Sequence, residues 1–429
     1  MNKIKEVIAS ILSSDFNKNL GVLVTGTVIA QAIPIALYPL LTRLYSPEDF
    51  GILALYISLM SLLAVVLTGR YELAIMSPKS AKDAESLVTL CLTLIMVTST
   101  VSFLIVLLFS DLIAQNLLNT PAIKPWLYFV PLSAALWAVY QTFMFWANRQ
   151  SKYKRIALSK ITQTSGTGFT NAVWGLISPV TAGLVVGRIV GDLAASTSMV
   201  YQTIKKQPDF FKSPSTRAIK SLALKYRDFP TYLLPSSIVG QVNMQLPNII
   251  IANFFGSVTL GFYSLGFQLV VLPTALVGKN LGDVYRQQAT ETYNKKGNFR
   301  DVYFDTLKKS ALLGIVPFLV FIFFAPSLFS FFFGEQWEIA GKYSQILSVF
   351  TFLSFVITPI DKSALVVGAT RYMAVVQVFR LLLNLSLLGF LYFFDVNIET
   401  YLWLLVISNS LIYTIELIAG YRFSGSKIN

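Results

Sequence analysis

Apolar runs of about 20 residues recur along the whole chain, and they constrain its fold more than any other feature. Hydrophobic residues make up 55% of the 429 residues and charged residues only 13%, a far more apolar balance than that of a soluble domain. The chain is therefore predicted to be an all-α membrane protein with about twelve transmembrane helices. The predicted helices lie near 20–41, 51–77, 86–109, 126–147, 156–177, 180–201, 231–253, 258–282, 308–333, 343–360, 372–394 and 397–420.

The positive charges between these helices predict their orientation. Of the 34 Lys and Arg residues, 26 lie at the two termini or in the alternate loops that share their side of the membrane. The opposite loops hold three, and five lie inside the predicted helices. Because short, positively charged loops stay in the cytoplasm, both termini are predicted to be cytoplasmic, in a protein of the cytoplasmic (inner) membrane. The net charge of +13 then reflects topology and attraction to anionic membrane lipids, and it requires no nucleic-acid partner.

The residue types that are missing or rare limit the chemistry. The sequence contains no histidine and a single cysteine, Cys91, which lies within an apolar run. A Ser/His/Asp or Cys/His catalytic set is therefore excluded, as are an intramolecular disulfide and a thiolate metal site. The loops predicted to lie outside the cytoplasm are also too short to form a catalytic domain. We expect no catalytic residues, no metal and no cofactor, and hence no enzyme.

Internal repeats divide the chain into two halves. The stretch "LYSPEDFGILALY", from Leu44, has a counterpart in "FFGSVTLGFYSLG", from Phe254, and "RQSKYKRIALSK", from Arg149, resembles "GATRYMAVVQVFR", from Gly368. The matches occur in the same order at offsets of roughly 210 to 220, which favours two pseudo-symmetric six-helix bundles, a common construction of transporters. The predicted segments are an amphipathic cytoplasmic N-terminus at 1–19, the bundles at 20–201 and 231–420, a basic cytoplasmic linker at 202–230 and a cytoplasmic tail at 421–429.

Several motifs resemble one transporter family. "LTRLYSPEDFGILALY", "GRYELAIM", "KYRDFPTYLLP" and "FFGSVTLGFYSLGFQLVVLPTALVG" are similar to segments of the polysaccharide transporter family, which contains the O-antigen and capsule flippases. The resemblance covers essentially the whole chain. It implies two bundles around a central cleft and alternating-access movement of a polyprenyl-pyrophosphate-linked oligosaccharide to the outer leaflet. It further implies a role in surface polysaccharide synthesis, beside a polymerase and a chain-length regulator. The lipid II flippases of the same superfamily have two additional C-terminal helices, which this sequence lacks.

Five cations lie inside the predicted helices, where each needs a partner, a water-filled cavity or a route to the headgroups. Two pairs follow the repeat, since Arg70 plus 210 falls beside Lys279, and Lys160 plus 220 is Arg380. Arginine offers bidentate hydrogen bonds to phosphate and lysine a point charge, so a pyrophosphate is the favoured ligand. Snorkelling to the headgroups is the alternative for Lys160 and Lys279. The predicted pyrophosphate-binding residues are Arg70, Lys160, Arg188, Lys279 and Arg380.

Three carboxylates inside the predicted helices are candidates for ion pairs or for coupling. Asp192 lies one turn after Arg188, at the spacing of a helical ion pair. Glu72 and Arg70 are two residues apart, and on a helix they are not expected to pair. Glu416 has no cation at helical spacing, so it is a candidate for binding a coupling Na⁺ or H⁺, or for a bond to a neighbouring helix.

Other polar and special residues complete the predicted site. Pro34 and Pro247, in helices 1 and 7, remove backbone hydrogen bonds and are candidate hinges, with a static kink as the alternative. The glycines of "GLVVGRIVG", from Gly183, form a small-residue stripe that favours close helix packing. The polar side chains expected to bind sugar hydroxyls are Gln31, Asn243, Gln245 and Asn248.

Two other functions remain open at this point. A multidrug or cation antiporter of the same fold would favour a carboxylate-lined cavity, whereas the charges inside the helices here lean cationic. A membrane polysaccharide polymerase or glycosyltransferase would need a catalytic acid on a substantial loop.

Overall fold

A computed structural model describes residues 15–208, 210 and 215–425, leaving out the side chains of 15–20, 22–24, 279–280 and 370. The described part of the chain contains helices and loops and no β-strand. Most of the predicted N-terminal segment 1–19, four residues of the predicted tail and part of the linker lie outside the described residues. The helices form two compact units, Met1–Gln241 and Val242–Asn429.

The first unit contains six long helices. A connecting helix, Thr216–Lys225, follows the sixth, and Ser215 caps it by accepting a hydrogen bond from the backbone of Ala218. The six long helices are α1 Asp15–Leu44, α2 Pro47–Leu67, α3 Ala81–Asp111, α4 Val130–Arg149, α5 Tyr153–Ile177 and α6 Thr181–Lys206.

The second unit begins within the longest helix of the chain. This helix, α7, is broken at Gly256, whose φ of 85° and ψ of 169° are not helical. A π-helical turn, Thr274–Gly278, joins it to α8. The long helices are α7 Leu234–Pro273, α8 Lys279–Lys296, α9 Arg300–Phe333, α10 Glu338–Ile357, α11 Thr370–Phe393 and α12 Ile398–Gly425.

The predicted number of membrane crossings agrees with these helices. Nine described segments are long and apolar enough to cross a membrane, and α4 with the bent turn before it makes a tenth. The segment Phe229–Lys296 is long enough for two crossings, separated at Gly256. The remaining helix, α5, has 25 residues but carries many hydroxyl and amide side chains. With α5 included and Phe229–Lys296, which holds α7 and α8, counted as two crossings divided at Gly256, the described residues contain twelve helical segments. The all-α membrane fold is confirmed.

Small residues let helices pack closely within the first unit. A Cβ placed on Gly183 would lie 2.1 Å from the Tyr45 hydroxyl, and one on Gly191 would lie 2.0 Å from Thr167 Oγ1. The stripe predicted on α6 therefore packs against α5 and Tyr45 at a distance that only glycine permits. Tyr45 also donates a hydrogen bond of 2.8 Å to the carbonyl of Asn171 on α5.

The second unit is held together in the same way. A Cβ on Gly341 of α10 would lie 2.5 Å from the backbone of Pro326 on α9, and Gly314 of α9 lies beneath Phe355 of α10. Large apolar side chains on the outer surfaces of the helices are highly exposed, for example Leu108 at 78% and Phe331 at 76%. Such exposure is expected where lipid is the solvent, since acyl chains are as apolar as leucine.

The end of α2 differs from the prediction. The sequence indicated a helix to residue 77, but α2 ends at Leu67 and a separate turn, Tyr71–Ala74, follows. Gly69 and Arg70 both have positive φ, at 57° and 64°, which reverses the backbone there. Arg70 is therefore in a connection between helices, and its placement inside a membrane-spanning helix was wrong.

Candidate functional site

A guanidinium and a buried carboxylate form the main polar site of the first unit. Arg188 Nε lies 2.8 Å from Asp192 Oδ2, one turn further along α6, so the predicted pair is present. Asp192 is fully buried and accepts a second hydrogen bond, of 2.6 Å, from Gln163 on α5. The Arg188 guanidinium lies over the Trp137 ring of α4, 5.4 Å from its centroid. Three helices thus hold this pair in place.

The arrangement leaves part of Arg188 available. Its side chain is 22% exposed, while both oxygens of Asp192 are engaged. The carboxylate is bonded through Nε, so the terminal guanidinium nitrogens carry no hydrogen bond within the described part of the chain. A planar guanidinium with free N–H groups beside an aromatic face can bind phosphate oxygens and pack against a sugar ring.

Arg70 and Glu72 form an ion pair, contrary to the prediction. Arg70 Nη1 lies 3.0 Å from Glu72 Oε1, because the left-handed backbone of Arg70 comes just before the short helical turn Tyr71–Ala74 that contains Glu72. Glu72 is 4% exposed and also accepts a hydrogen bond from the Thr68 hydroxyl. The Arg70 side chain is 27% exposed, and its Nε finds no partner among the described residues. The turn therefore presents a neutralised but accessible guanidinium.

The principal polar site of the second unit joins α11 to α12. Arg380 Nη2 lies 3.4 Å from Glu416 Oε1, and the guanidinium lies over the Tyr413 ring, 5.3 Å from its centroid. The two side chains are 21% and 18% exposed. Glu416 thus has a partner on a neighbouring helix, which was one of the two alternatives expected for it.

Glu416 also lines a cavity of about 70 Å³. The turn after α10 contributes Asp361, whose Oδ1 lies 3.1 Å from Lys362 Nζ. Partial burial raises the pKa of Asp361 above its usual range, against the opposing effects of Lys362 and Arg380. Tyr372 also lines the cavity, and its buried hydroxyl has no partner within the described residues. The remaining lining residues are Ser363, Ala364, Met373, Val376, Gln377, Gly420 and Phe423.

Lys160 and Lys279 are the other two cations predicted to bind pyrophosphate. Lys160 Nζ on α5 lies 3.4 Å from the Thr27 hydroxyl of α1. Gln31, one turn after Thr27, has a buried Oε1 with no partner among the described residues. Lys279 begins α8, and its side chain lies outside the described part. The structure thus brings Lys160 and α1 together and leaves Lys279 as a prediction.

The predicted sugar-binding amides of α7 bond within the protein. Asn243 donates to the Gln377 carbonyl at 3.1 Å and accepts from Asn384 at 3.4 Å, so it joins α7 to α11. Asn248 donates to Gln245 on its own helix at 3.2 Å. A buried amide that bridges two helices is engaged in packing. The expectation that Asn243 binds sugar finds no support in this geometry.

The predicted hinges differ from the break that is present. Helix α1 continues through Pro34, and α7 continues through Pro247. The non-helical residue of α7 is Gly256, nine residues after Pro247.

Sequence reasoning missed Trp137, Gln163, Asp361 and Tyr372 as members of these sites. Asp361 was visible in the sequence as an acid beside a lysine at the end of a predicted helix. It was missed because such a residue is easily assigned to topology alone. Trp137 and Gln163 carried no sequence signal, since they meet Arg188 and Asp192 only through the packing of α4, α5 and α6.

The positively charged side chains of these sites are suited to binding anions. Among the described residues, no group of three or more acidic, cysteine or histidine side chains could hold a metal ion. The charged groups that come together are guanidinium–carboxylate pairs, each with part of its surface accessible. Such pairs can exchange the carboxylate for another anion.

Comparison with known proteins places the fold among membrane transporters. One similar structure is an inward-facing multidrug resistance MATE family transporter of the MOP superfamily, at 14% identity, TM-score 0.73, covering 92% of this chain and 98% of that one. Another is the lipid II flippase MurJ in an inward closed conformation, at 17% identity, TM-score 0.65, covering 93% and 87%. A third is a MOP superfamily transporter from Pyrococcus furiosus, at 14% identity, TM-score 0.63, covering 98% of both chains.

At these identities the similarity establishes the fold alone. No match was found among curated protein sequences. One family model, described as polysaccharide biosynthesis protein, matches residues 40–341, which include Arg70, Glu72, Lys160, Arg188 and Asp192. Because this match covers well over half of the sequence, the chain belongs to the polysaccharide biosynthesis protein family, and its helices have the fold of the MATE and MurJ transporters.

Proposed function

We propose that this protein is a flippase, which moves a polyprenyl-pyrophosphate-linked oligosaccharide from the inner to the outer leaflet of the cytoplasmic membrane by alternating access. The observation that carries the proposal is the set of guanidinium groups that are paired to carboxylates and yet part exposed. Arg188 and Arg380 occur on long, apolar helices, where a charge is costly unless it has a function or a partner.

These guanidiniums match the chemistry of a pyrophosphate. A guanidinium can donate two parallel hydrogen bonds to phosphate oxygens, and a group already paired with a carboxylate can take a phosphate in its place. The Trp137 ring beside Arg188 adds an apolar face suited to the sugar that follows the pyrophosphate. The apolar outer surfaces of the helices leave the polyprenyl tail in lipid.

The comparisons support the same class of substrate. The family description names polysaccharide biosynthesis, and one similar fold is that of a lipid II flippase. We infer that the carried unit is a repeat of a surface polysaccharide, such as O-antigen, capsule or exopolysaccharide. A polymerase and a chain-length regulator would then act on it after flipping. The excess of positive charge in alternate loops supports cytoplasmic termini.

A multidrug or cation antiporter is the second candidate. The cavity lined by Asp361 and Glu416 favours it, because acidic cavities attract cationic drugs, and the MATE transporter has a similar fold. Against it, the carboxylates of the described sites lie beside lysine or arginine, which reduces their attraction for a further cation.

Lipid-linked saccharides in a deletion strain provide the first test. Mass spectrometry identifies the accumulated lipid, and a membrane-impermeant probe reports its leaflet. We expect a complete repeat unit on the inner leaflet and loss of surface polymer. Unpolymerised units on the outer leaflet would indicate a polymerase, and an unchanged lipid pool with altered drug sensitivity would indicate the antiporter.

Substitution of the guanidiniums then tests the site. Arg70→Ala and Arg380→Ala should abolish export while protein levels in the membrane stay normal, since each removes a phosphate donor. Lys309→Ala is the matched control, because Lys309 forms an exposed pair with Asp305 and should retain export. Normal export by both arginine variants would overturn the assigned site.

A further inference from the structure

The Arg380–Glu416 pair is built more loosely than the Arg188–Asp192 pair. Asp192 is fully buried, with a second donor in Gln163, whereas Glu416 is 18% exposed and meets Arg380 at 3.4 Å through a single nitrogen. Arg380 Nε is buried and makes no hydrogen bond within the described residues. A single long contact is easier to exchange than a short one with both carboxylate oxygens engaged.

Glu416 faces the 70 Å³ cavity, which connects it to other polar groups. At roughly 30 Å³ for each water molecule, this volume holds about two waters. Asp361, Ser363 and Gln377 also line the cavity, so water there would have donors and acceptors to bind. Water in this cavity would provide a path for a proton to the carboxylate.

The charged and titratable side chains near Glu416 come from several elements around the cavity. Asp361, Lys362 and Arg380 are close enough to Glu416 to interact with it electrostatically. The interactions of the nearby tyrosines are known: Tyr285 of α8 bonds to Ser363, Tyr303 of α9 donates to the carbonyl of Leu417, and Tyr413 lies under Arg380. Two cations thus balance two carboxylates while Glu416 is ionised.

An anion on Arg380 disturbs this balance. A pyrophosphate that accepts hydrogen bonds from both terminal nitrogens of Arg380 competes with Glu416 for Nη2, which holds Glu416 by one long contact. When Arg380 binds the pyrophosphate, Glu416 loses the cation that is hydrogen-bonded to it. Its side chain is still only 18% exposed, and it shares the cavity with a second carboxylate, Asp361. Both burial and a neighbouring like charge favour the protonated form of an acid.

We propose that binding of a pyrophosphate to Arg380 displaces Glu416 and that Glu416 then takes up one proton. This inference rests on the proposed function and adds a proton linkage to it. The O–H bond forms at a Glu416 carboxylate oxygen, with a proton from bulk solvent delivered through cavity water. Arg380 keeps its own protons throughout. Release of the pyrophosphate restores the ion pair and returns the proton.

Calorimetry of the purified full-length protein tests this linkage. The probe is a farnesyl group joined through pyrophosphate to one glucose, because both of its phosphates are esterified and do not titrate near neutral pH. Titrations in buffers of different ionisation enthalpy give the number of protons taken up on binding. We expect a value approaching one for the wild type and near zero for Glu416→Gln, which still binds the probe. Glu338→Gln removes an exposed carboxylate paired with Lys342 and should behave like the wild type.

A second measurement needs no variant. If one proton is taken up on binding, the probe's dissociation constant should rise about tenfold per pH unit where uptake is complete. A dissociation constant that is independent of pH, or an unchanged proton number in Glu416→Gln, would overturn the inference and leave the flippase proposal standing. Loss of uptake in Asp361→Asn with full uptake in Glu416→Gln would overturn the assignment to Glu416. Absence of probe binding by the wild type would overturn both proposals.

Discussion

At the scale of the residue, Asp192 shows how a charge is kept within an apolar bundle. Its carboxylate is fully buried, and its two oxygens accept from Arg188 and Gln163 at 2.8 and 2.6 Å. Removal of one partner of such a pair leaves the other charge and its donors without compensation. Asp192, Arg188 and Gln163 therefore stabilise the bundle only when all three are present.

We expect Asp192→Ala to lower the free energy of unfolding by about 3 kcal/mol or more, the cost typical of a broken buried pair. Asp192→Asn should cost less, because the amide oxygen still accepts a hydrogen bond. Thermal unfolding in detergent provides the measurement. Asp305→Ala is the control, since Asp305 makes an exposed pair of the same i,i+4 spacing and should leave the unfolding temperature nearly unchanged. Equal shifts for the two alanine variants would contradict the structural role of Asp192.

At the scale of the element, α7 combines two crossings and a break. Gly256 has a backbone conformation that glycine adopts almost alone, with φ 85° and ψ 169°. A Cβ at Gly256 would meet no atom within 4 Å, and the same is true of Gly240 on the same helix, where φ is not positive. The two glycines therefore differ in backbone strain and not in space.

Gly256→Ala should cost about 1–3 kcal/mol of stability through this strain alone. Gly240→Ala should be neutral or slightly stabilising, because alanine favours helix by up to about 1 kcal/mol over glycine. Unfolding temperatures of the two variants in one detergent decide the question. Equal effects of the two substitutions would mean that the break at Gly256 is not maintained by its φ.

The limits of sequence reasoning also appear at this scale. The pair of Arg188 and Asp192 was predictable, because both residues lie on one helix at known spacing. The pair of Arg380 and Glu416 was not, since it depends on how α11 meets α12. The end of α2 was misplaced because the apolar residues that follow Arg70 continue the hydropathy pattern, and hydropathy carries no information about φ.

At the scale of the whole molecule, apolar runs predict the number of membrane crossings and positive charges predict their orientation. Apolar runs indicated twelve crossings, and the helices of the described residues agree. Orientation was predicted from lysine and arginine counts alone, which act during membrane insertion and leave no contact to observe. For the proposed flippase, this orientation determines which parts of the protein face the cytoplasm. It therefore needs its own measurement.

The single cysteine makes this measurement simple. Cys91 is fully buried, so a membrane-impermeant maleimide should not label the unsubstituted protein, which is the control. We expect Asn116→Cys and Asp395→Cys, at exposed positions in predicted outer loops, to be labelled on intact spheroplasts. Lys152→Cys and Lys296→Cys, exposed in predicted cytoplasmic loops, should be labelled only in inverted vesicles. The reverse pattern in all four variants would invert the predicted topology, and with it the assignment of which parts of the proposed flippase face the cytoplasm.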